Sequence, residues 1–483
     1  TDDEIQRLLD YTELYFVPCI NPDGYIHNEV SFPEGGGMWR KNRQVNYNNS
    51  IGVDPNRNFG YMWGYDDYGS SPIPNSTTYR GDSAFSAPEI RAIRNFAMDH
   101  DFKLVMNYHS YGNLLLHPWG YVSYLYPDDY DRIRNMSSLL TQKNHFNFGP
   151  PPKLLYLVNG DATDWFYGED ITKPGSISFT PEVGSGDDGF WPPVGQIIPQ
   201  CQSCLEMNLK AAQLAGCYAF TKDAGPVNIT AAEGYFKIEL QRLGLSNKPF
   251  TLTLEPLSDA FDTIAPPKLI DSLPVSSSIS DSVFFRLWPG LIPGKEIVYC
   301  VKIENDAFVN VDTVVKIYGP ATIIFEDTFD DAANWDTDEW ALRDDLFTSP
   351  DYSISNVEGS YYPNNSQSFL HLKDTILQNE SGAVWVNFKA RWHLDGGRDY
   401  VEFVYSDDFG QSWNPVGGRY SSRVFNGLKY IHVYEGAQES WIDEWILITG
   451  IKDIPVKLGF KFTSDNQLGR SGFNCDDFRV LTS

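Results

Sequence analysis

No stretch of this 483-residue chain approaches about 18 uninterrupted apolar residues, so no helix of the sequence is long and apolar enough to cross a membrane. Cations are scarce. Lys and Arg number 37 against 64 Asp and Glu, a formal net charge of −27, and no basic run interrupts the deficit. A surface that tracks phosphates needs clustered Lys and Arg, so nucleic acid is not expected as a partner. The acidity suits solubility instead. The six cysteines, Cys19, Cys201, Cys204, Cys217, Cys300 and Cys475, are too few and too scattered for a disulfide framework. Cys201 and Cys204 form a C-x-x-C with no second pair at zinc-finger spacing, and read as reduced structural thiols in a helix. No secretory leader, internal repeat or low-complexity tract is visible, and the first residue is Thr1 rather than Met.

What the chain does have is apolar material, 42% hydrophobic with 15% aromatic residues, enough for packed cores. Its length predicts several domains. Residues 1–222 mix periodicities. Asp2–Asp10 reads as a helix, Glu13–Cys19 as a buried strand, Lys103–Tyr108 and Asn113–His117 as strands, Ile177–Thr180 as another, and residues 200–220 as a closing helix. Ser86-Ala87-Pro88-Glu89 is a capping box opening a helix to about His100. Strands alternating with helices predict an α/β layered domain. Residues 223–320 show strand alternation punctuated by Pro-Gly turns, an immunoglobulin-like β-sandwich pattern. Residues 321–483 form a second all-β region, expected to be a jelly-roll or MAM-like domain. It contains Ser406-Asp407-Asp408-Phe409-Gly410-Gln411-Ser412-Trp413, which resembles an Asp-box hairpin turn.

The first region carries a series of short motifs. In order they are Asn21-Pro22-Asp23-Gly24-Tyr25, which is a turn by composition, Met38-Trp39-Arg40-Lys41-Asn42-Arg43, Asp54-Pro55-Asn56-Arg57-Asn58-Phe59, Tyr79-Arg80-Gly81, Asn107-Tyr108-His109-Ser110, and Phe179-Thr180-Pro181-Glu182. Each is weak alone. Together, over residues 11–216, they resemble the zinc carboxypeptidase family, the carboxypeptidase A and T relatives, which implies that family's α/β mixed-sheet fold, here expected to be truncated at its N-terminus. The two β regions resemble modules appended to secreted bacterial peptidases of that kind, which implies a secreted, extracellular protein. The chemistry agrees with the resemblance. An exopeptidase must hold a terminal carboxylate, which a guanidinium fork suits, and polarise one carbonyl. It must also generate a nucleophile at neutral pH, a task for zinc assisted by a carboxylate base.

The resemblance implies a role for each position. His109 is the zinc ligand and Glu182 the general base. Arg40 stabilises the oxyanion, and Asn56 and Arg57 grip the carboxylate of a peptide or protein substrate with a free C-terminus. Tyr156 is the mobile tyrosine that folds over the substrate, and Thr163 the floor of the side-chain pocket, with Asp161 close by. His117 reads as packing, and Lys41 and Arg43 as surface charges.

One departure matters. The family's other two zinc ligands come as H-x-x-E upstream of the N-P-D-G turn, and no histidine precedes Asn21. The one H-x-x-E in the chain, His432-Val433-Tyr434-Glu435, falls in a strand-like stretch, where positions i and i+3 face opposite ways. Catalytic zinc ordinarily has three protein ligands. The expectation is therefore a stretch of a complete metallocarboxypeptidase that is inactive as given. A degenerate peptide-binding homologue and a peptidoglycan-amide-cleaving member are the alternatives. In the last region Glu326, Asp327, Asp476 and Asp477 are candidate calcium ligands.

Overall fold

The computed structural model describes residues 2–275, 278–377, 383–395, 399–425, 430–451, 453–466 and 469–482. It divides into two units. One comprises residues 1–218 with 243–247, and the other residues 219–242 with 248–483.

The first unit is α/β. Its helices are α1 (Asp2–Tyr11), α2 (Pro22–Ser31), α3 (Pro88–Met98), α4 (Tyr130–Thr141), α5 (Pro151–Leu154), α6 (Ala162–Gly168) and α7 (Val194–Ala215). Its strands are β1 (Leu104–Met106), β2 (Leu114–Leu116), β3 (Asn147–Gly149) and β4 (Ile177–Glu182), in the order β1-β4-β2-β3. The sheet is mixed. β4 runs parallel to β1 and antiparallel to β2, and β2 is parallel to β3. All six residues of β4 are buried, as a strand covered on both faces should be.

Three local expectations are corrected. Glu13–Cys19 forms no ladder among the described residues, and it is exposed, Phe16 at 83%. Tyr15 packs edge-on to Phe96 and Phe102. The Ser86 hydroxyl does not cap α3, because it accepts from Asn58 Nδ2 (2.9 Å) while Asn58 Oδ1 accepts from the Ala87 N–H (2.9 Å). Asn21-Pro22-Asp23-Gly24-Tyr25 is the capped start of a helix rather than a free turn, since Asn21 Oδ1 accepts from the Gly24 N–H (3.1 Å). The C-x-x-C lies on α7 as two free thiols, Cys201 exposed and Cys204 buried.

The second unit is built almost wholly of strands. Its first part has β5 (Ala219–Asp223), β6 (Asn228–Ile229), β7 (Glu233–Arg242), β8 (Phe250–Pro256), β9 (Phe261–Ile264), β10 (Lys268–Ile270), β11 (Ser278–Leu287), β12 (Glu296–Asn305) and β13 (Phe308–Tyr318). They form two sheets, β10-β8-β12-β13-β6 and β5-β7-β11-β9. Phe236 stacks on Phe285 (4.1 Å) and Tyr299 (4.3 Å), joining strands of both sheets.

The remaining strands begin with β14 (Thr322–Asp327), β15 (Trp335–Asp338), β16 (Ala341–Arg343), β17 (Ser353–Ser355), β18 (Gln367–Leu372), β19 (Ala383–His393) and β20 (Tyr400–Ser406). They continue with β21 (Asn414–Pro415), β22 (Ser422–Phe425), β23 (Tyr430–Val433), β24 (Ala437–Thr449), β25 (Lys457–Thr463) and β26 (Gly472–Thr482). Sheets β16-β17-β26-β19-β24, with β14 also on β26, and β15-β18-β25-β20-β21 enclose one aromatic-rich core. In the Asp-box turn, Asp408 Oδ1 accepts from the Ser412 N–H (2.8 Å) and Oδ2 from the Ser412 hydroxyl (2.6 Å). Gly410 takes φ +93°. Those donors hold the Asp408 carboxyl down at about 2. His432 lies in β23, so the H-x-x-E there is not on a helix.

The two β groups meet inside this unit. Asp223 Oδ2 accepts from Lys316 Nζ (2.6 Å) and from Arg419 Nη2 (2.9 Å). Glu444, fully buried, accepts from the N–H groups of Arg419 (2.6 Å), Tyr420 (2.9 Å) and Trp445 (2.8 Å). The four calcium candidates already face protein donors or cations. Asp476 Oδ2 accepts from the Thr348 and Ser349 N–H groups (2.7 and 3.0 Å), and Asp327 Oδ2 from Asn334 and Trp335 (2.9 and 3.0 Å). Glu326 pairs with Arg479 (2.6 Å), and Asp477 Oδ2 accepts from the Thr348 hydroxyl (3.3 Å).

Candidate active site

The segment that presents Arg40 is held by α2. Asn21 Nδ2 donates to the carbonyls of Arg40 and Lys41 (both 3.1 Å). Asn28 clamps Trp39 from both sides, donating to its carbonyl (2.8 Å) and accepting from its N–H (3.0 Å). Gly24 is required where these segments meet, since a Cβ there would stand 2.6 Å from the Lys41 carbonyl. The N-P-D-G motif is thus a mount for Arg40.

Arg57 is mounted differently. Asp54 caps a single 3₁₀ turn, Pro55–Arg57, its Oδ1 accepting from the Asn56 N–H (3.1 Å). The other oxygen, Oδ2, faces Arg40 Nη2 at 2.9 Å and Arg57 Nη1 at 4.0 Å. Asp54 is thereby shared by both guanidinium groups. Arg57 is 3% exposed, donates from Nη1 to the Asn56 carbonyl (2.7 Å) and keeps Nε without a hydrogen-bond partner among the described residues. Asn56 Oδ1 accepts from the Ala162 N–H (3.0 Å) at the start of α6.

β4 supplies the other half. Its period of two puts Ser178, Thr180 and Glu182 on one face and Ile177, Phe179 and Pro181 on the other. The parallel pairing with β1 carries on beyond that strand to a bridge between His109 and Glu182. The Pro181 carbonyl accepts from the His109 N–H (2.8 Å), and the His109 carbonyl from the Val183 N–H (2.9 Å). Paired positions on neighbouring strands turn their side chains to the same face. Below them runs a buried polar floor, in which the Thr163 and Thr180 hydroxyls share a short hydrogen bond and Asn107 Nδ2 donates to Ser178 Oγ (3.2 Å) and Thr163 Oγ1 (3.4 Å).

Charges bind the two halves. Burial pushes the Glu182 carboxyl up to about 7, with Arg40 pulling partly against it. Loss of hydration, then the positive charge of Arg40, hold the His109 imidazole down to about 4, so at neutral pH it is an unprotonated nitrogen donor. Asp54 raises the Arg40 guanidinium further, and Tyr156, 54% exposed, adds to that rise. Asp161 caps α6 with Oδ2, while its buried Oδ1 has no hydrogen-bond partner among the described residues. Burial lifts its carboxyl to about 6 and Arg57 opposes that.

The structure therefore brings Arg40, Asn56, Arg57, His109, Tyr156, Thr163 and Glu182 into one connected site. Residue-by-residue reading passed over Asp54, and with it the mounting residues Asn21 and Asn28. Asp54 was within reach as the acid that precedes Pro-Asn-Arg at capping distance. His117, fully walled in with Nδ1 against the Pro118 carbonyl (2.8 Å), is a packing residue, and Lys41 is buried with Nζ donating to the Pro74 carbonyl (2.8 Å), which corrects its reading as a surface charge. Among the described residues no group of three or more His, Cys, Asp and Glu side chains is placed to hold a metal ion.

Residues 1–207 match the family model described as zinc carboxypeptidase. Human mast cell carboxypeptidase A is 31% identical over 213 residues, which cover 41% of this chain and 48% of that protein. Carboxypeptidase B of Astacus astacus is 31% identical over 210 residues, covering 41% and 66%. Among solved structures, bovine thrombin-activatable fibrinolysis inhibitor in complex with tick carboxypeptidase inhibitor aligns with 29% identity and a TM-score of 0.38, over 43% of this chain and 70% of that one. Against mast cell carboxypeptidase A and its like, the chain spans about half the relative's length.

Proposed function

Residues 1–207 are a zinc carboxypeptidase domain, and from that premise we propose that this site recognises the free C-terminus of a peptide for hydrolysis of its last amide bond. The observation that carries the reading is Asp54, which holds one guanidinium toward Glu182 and His109 and lies against a second that is buried with an unused donor. Asp54 offsets one of the two cations, which leaves the site with a positive charge for an anionic ligand. A terminal carboxylate on Arg57 and Asn56, and a developing oxyanion near Arg40, fit that charge. Glu182, near neutrality in its carboxyl affinity, is suited to take a proton from the attacking water and return it to the leaving amine. Tyr156 covers the ligand, and Thr163 with Thr180 and Asn107 makes the polar end of its side-chain pocket.

Zinc, which the family implies, would supply carbonyl polarisation. The residues of this chain fit it poorly, for His109 is one imidazole where a catalytic ion takes three protein ligands. We therefore assign the chain alone recognition without turnover, and assign peptidase activity to a protein in which two more ligands are supplied. Calcium gains no support, because the oxygens of Glu326, Asp327, Asp476 and Asp477 are engaged with protein donors. The β part of the chain we read as an immunoglobulin-like sandwich and a jelly roll, within three domains near 1–222, 223–320 and 321–483, of an extracellular protein.

The test is calorimetric titration of this chain with a blocked dipeptide bearing a free C-terminus and with its C-terminal amide. A charge-assisted bond contributes about 1.5–3 kcal/mol, so the acid is expected to bind on the order of tenfold to a hundredfold tighter. Equal affinities would remove the carboxylate grip.

A further inference from the structure

A second cavity lies at the opposite end of the same sheet. It holds about 610 Å³ and is lined by Ile177, the first residue of β4, and by Lys103, just before β1. Glu182 is five residues further along β4, roughly 17 Å away at strand rise. The cavity is therefore separate from the site described above.

Its walls are aromatic. Trp119 stacks on Tyr61 (5.1 Å, interplanar angle 12°) and is met edge-on by Tyr167 (5.1 Å, 69°). Gly168 closes the stack from behind, where a Cβ would stand 2.5 Å from Tyr61 and 2.8 Å from Trp119. The rim is acidic, with Asp128, Asp129 and Asp170 all on the lining. Asp129 pairs with Arg132 (3.5 Å), and Lys103 pairs with Asp101 (2.5 Å) outside the cavity. Asp128 and Asp170 have no ion-pair partner among the described residues. The negative field reaches the walls. Burial first, then Tyr121, Asp164 and Asp170, push the Tyr61 phenol up to about 12. The carboxylates do not converge as a metal site.

We propose that this cavity is a binding site for an organic cation, the guanidinium or alkylammonium group of an Arg or Lys side chain, held between the Tyr61–Trp119–Tyr167 rings and the Asp128 and Asp170 carboxylates. Ring faces attract such cations through their quadrupole, and unpaired carboxylates at the rim complete the charge. A neutral ring would gain the stacking but leave both carboxylates unanswered. The inference does not depend on the reading of the Glu182 site.

The experiment titrates the full chain with N-acetyl-arginine amide, which has no carboxylate for Arg57 to grip, and with N-acetyl-leucine amide. The arginine compound is expected to bind, more weakly at high salt, and the leucine compound not to. Asp128→Asn with Asp170→Asn, both at exposed rim positions, should weaken binding about three- to tenfold, as two partly exposed ion pairs would. Trp119→Leu should weaken it by a similar factor. Glu358→Gln with Asp407→Asn, exposed acids in the other unit, should leave it unchanged. Equal binding of the two amides, no loss in the Asp128/Asp170 pair, or an equal loss in the remote pair would each overturn the assignment.

Discussion

Arg40 Nη2 stands 2.9 Å from Asp54 Oδ2, and the same oxygen is the nearest carboxylate to Arg57 at 4.0 Å. One buried acid thus sets the position of two cations that come from separate segments, and its removal tests both.

Asp54→Ala should destabilise the first unit by about 3 kcal/mol, because it takes from the 3%-exposed Arg57 the carboxylate that faces it at 4.0 Å. Arg40→Ala should cost less, about 1–2 kcal/mol, since the buried Asp54 loses its 2.9 Å partner but keeps Arg57 at 4.0 Å and the Asn56 N–H. Urea unfolding followed in the first unit checks the order. A larger loss for Arg40→Ala would mean that Asp54 serves the exposed cation first.

Arg57→Ala should erase the preference of the chain for a free C-terminus over its amide, whereas Arg40→Ala should leave that preference intact. In a protein with a full set of zinc ligands, Arg40→Ala should lower kcat on both substrate forms by a similar factor. The four binding constants and four rate constants decide it. A preference that survives Arg57→Ala would place the carboxylate anchor elsewhere.

Zinc should bind this chain weakly, without peptide turnover, and His109→Ala should remove what binding there is. Calorimetry with zinc and an exopeptidase assay read both. Tight one-to-one binding accompanied by turnover would contradict the ligand count. Where two further ligands are present, Glu182→Gln should abolish turnover and leave zinc bound, since the amide keeps the shape and loses the base.

Stability of the second unit should fall as pH rises through the Glu444 carboxyl. Burial raises that carboxyl from its ordinary 4.5 to about 7, so the folded state favours the proton. The contribution is complete below about 4.5 and is lost as pH climbs through about 7. Denaturant unfolding between pH 4.5 and 8 should show the decline. Glu444→Gln should shrink the slope, leaving the part due to Asp399, whose carboxyl burial lifts to about 6. An unchanged slope would mean that Glu444 stays ionised in the fold.

The sequence made the order of motifs readable, because each motif is a short run whose residues meet locally. The alternation Ser178, Thr180, Glu182 is legible in the same way, as a polar face on an otherwise apolar strand. Long-range competition was not legible. Ser86 has every local feature of a cap, yet Asn58, 28 residues earlier, takes its hydroxyl. Glu13–Cys19 is apolar enough to demand burial, but apolarity names no neighbour, and Phe16 ends exposed. Asp476 reads from the sequence as a candidate calcium ligand, and only the fold brings the Thr348 and Ser349 amides to it.

The parallel bridge between His109 and Glu182 also limits what the gene can vary. Strand positions alternate in direction, so adding or deleting a single residue within residues 104–109 or 177–182 would turn one of the pair to the far side of the sheet. Changes of length are confined to loops outside those twelve codons, while substitutions on the opposite face remain open. Related genes should therefore differ in length around these two segments and never inside them.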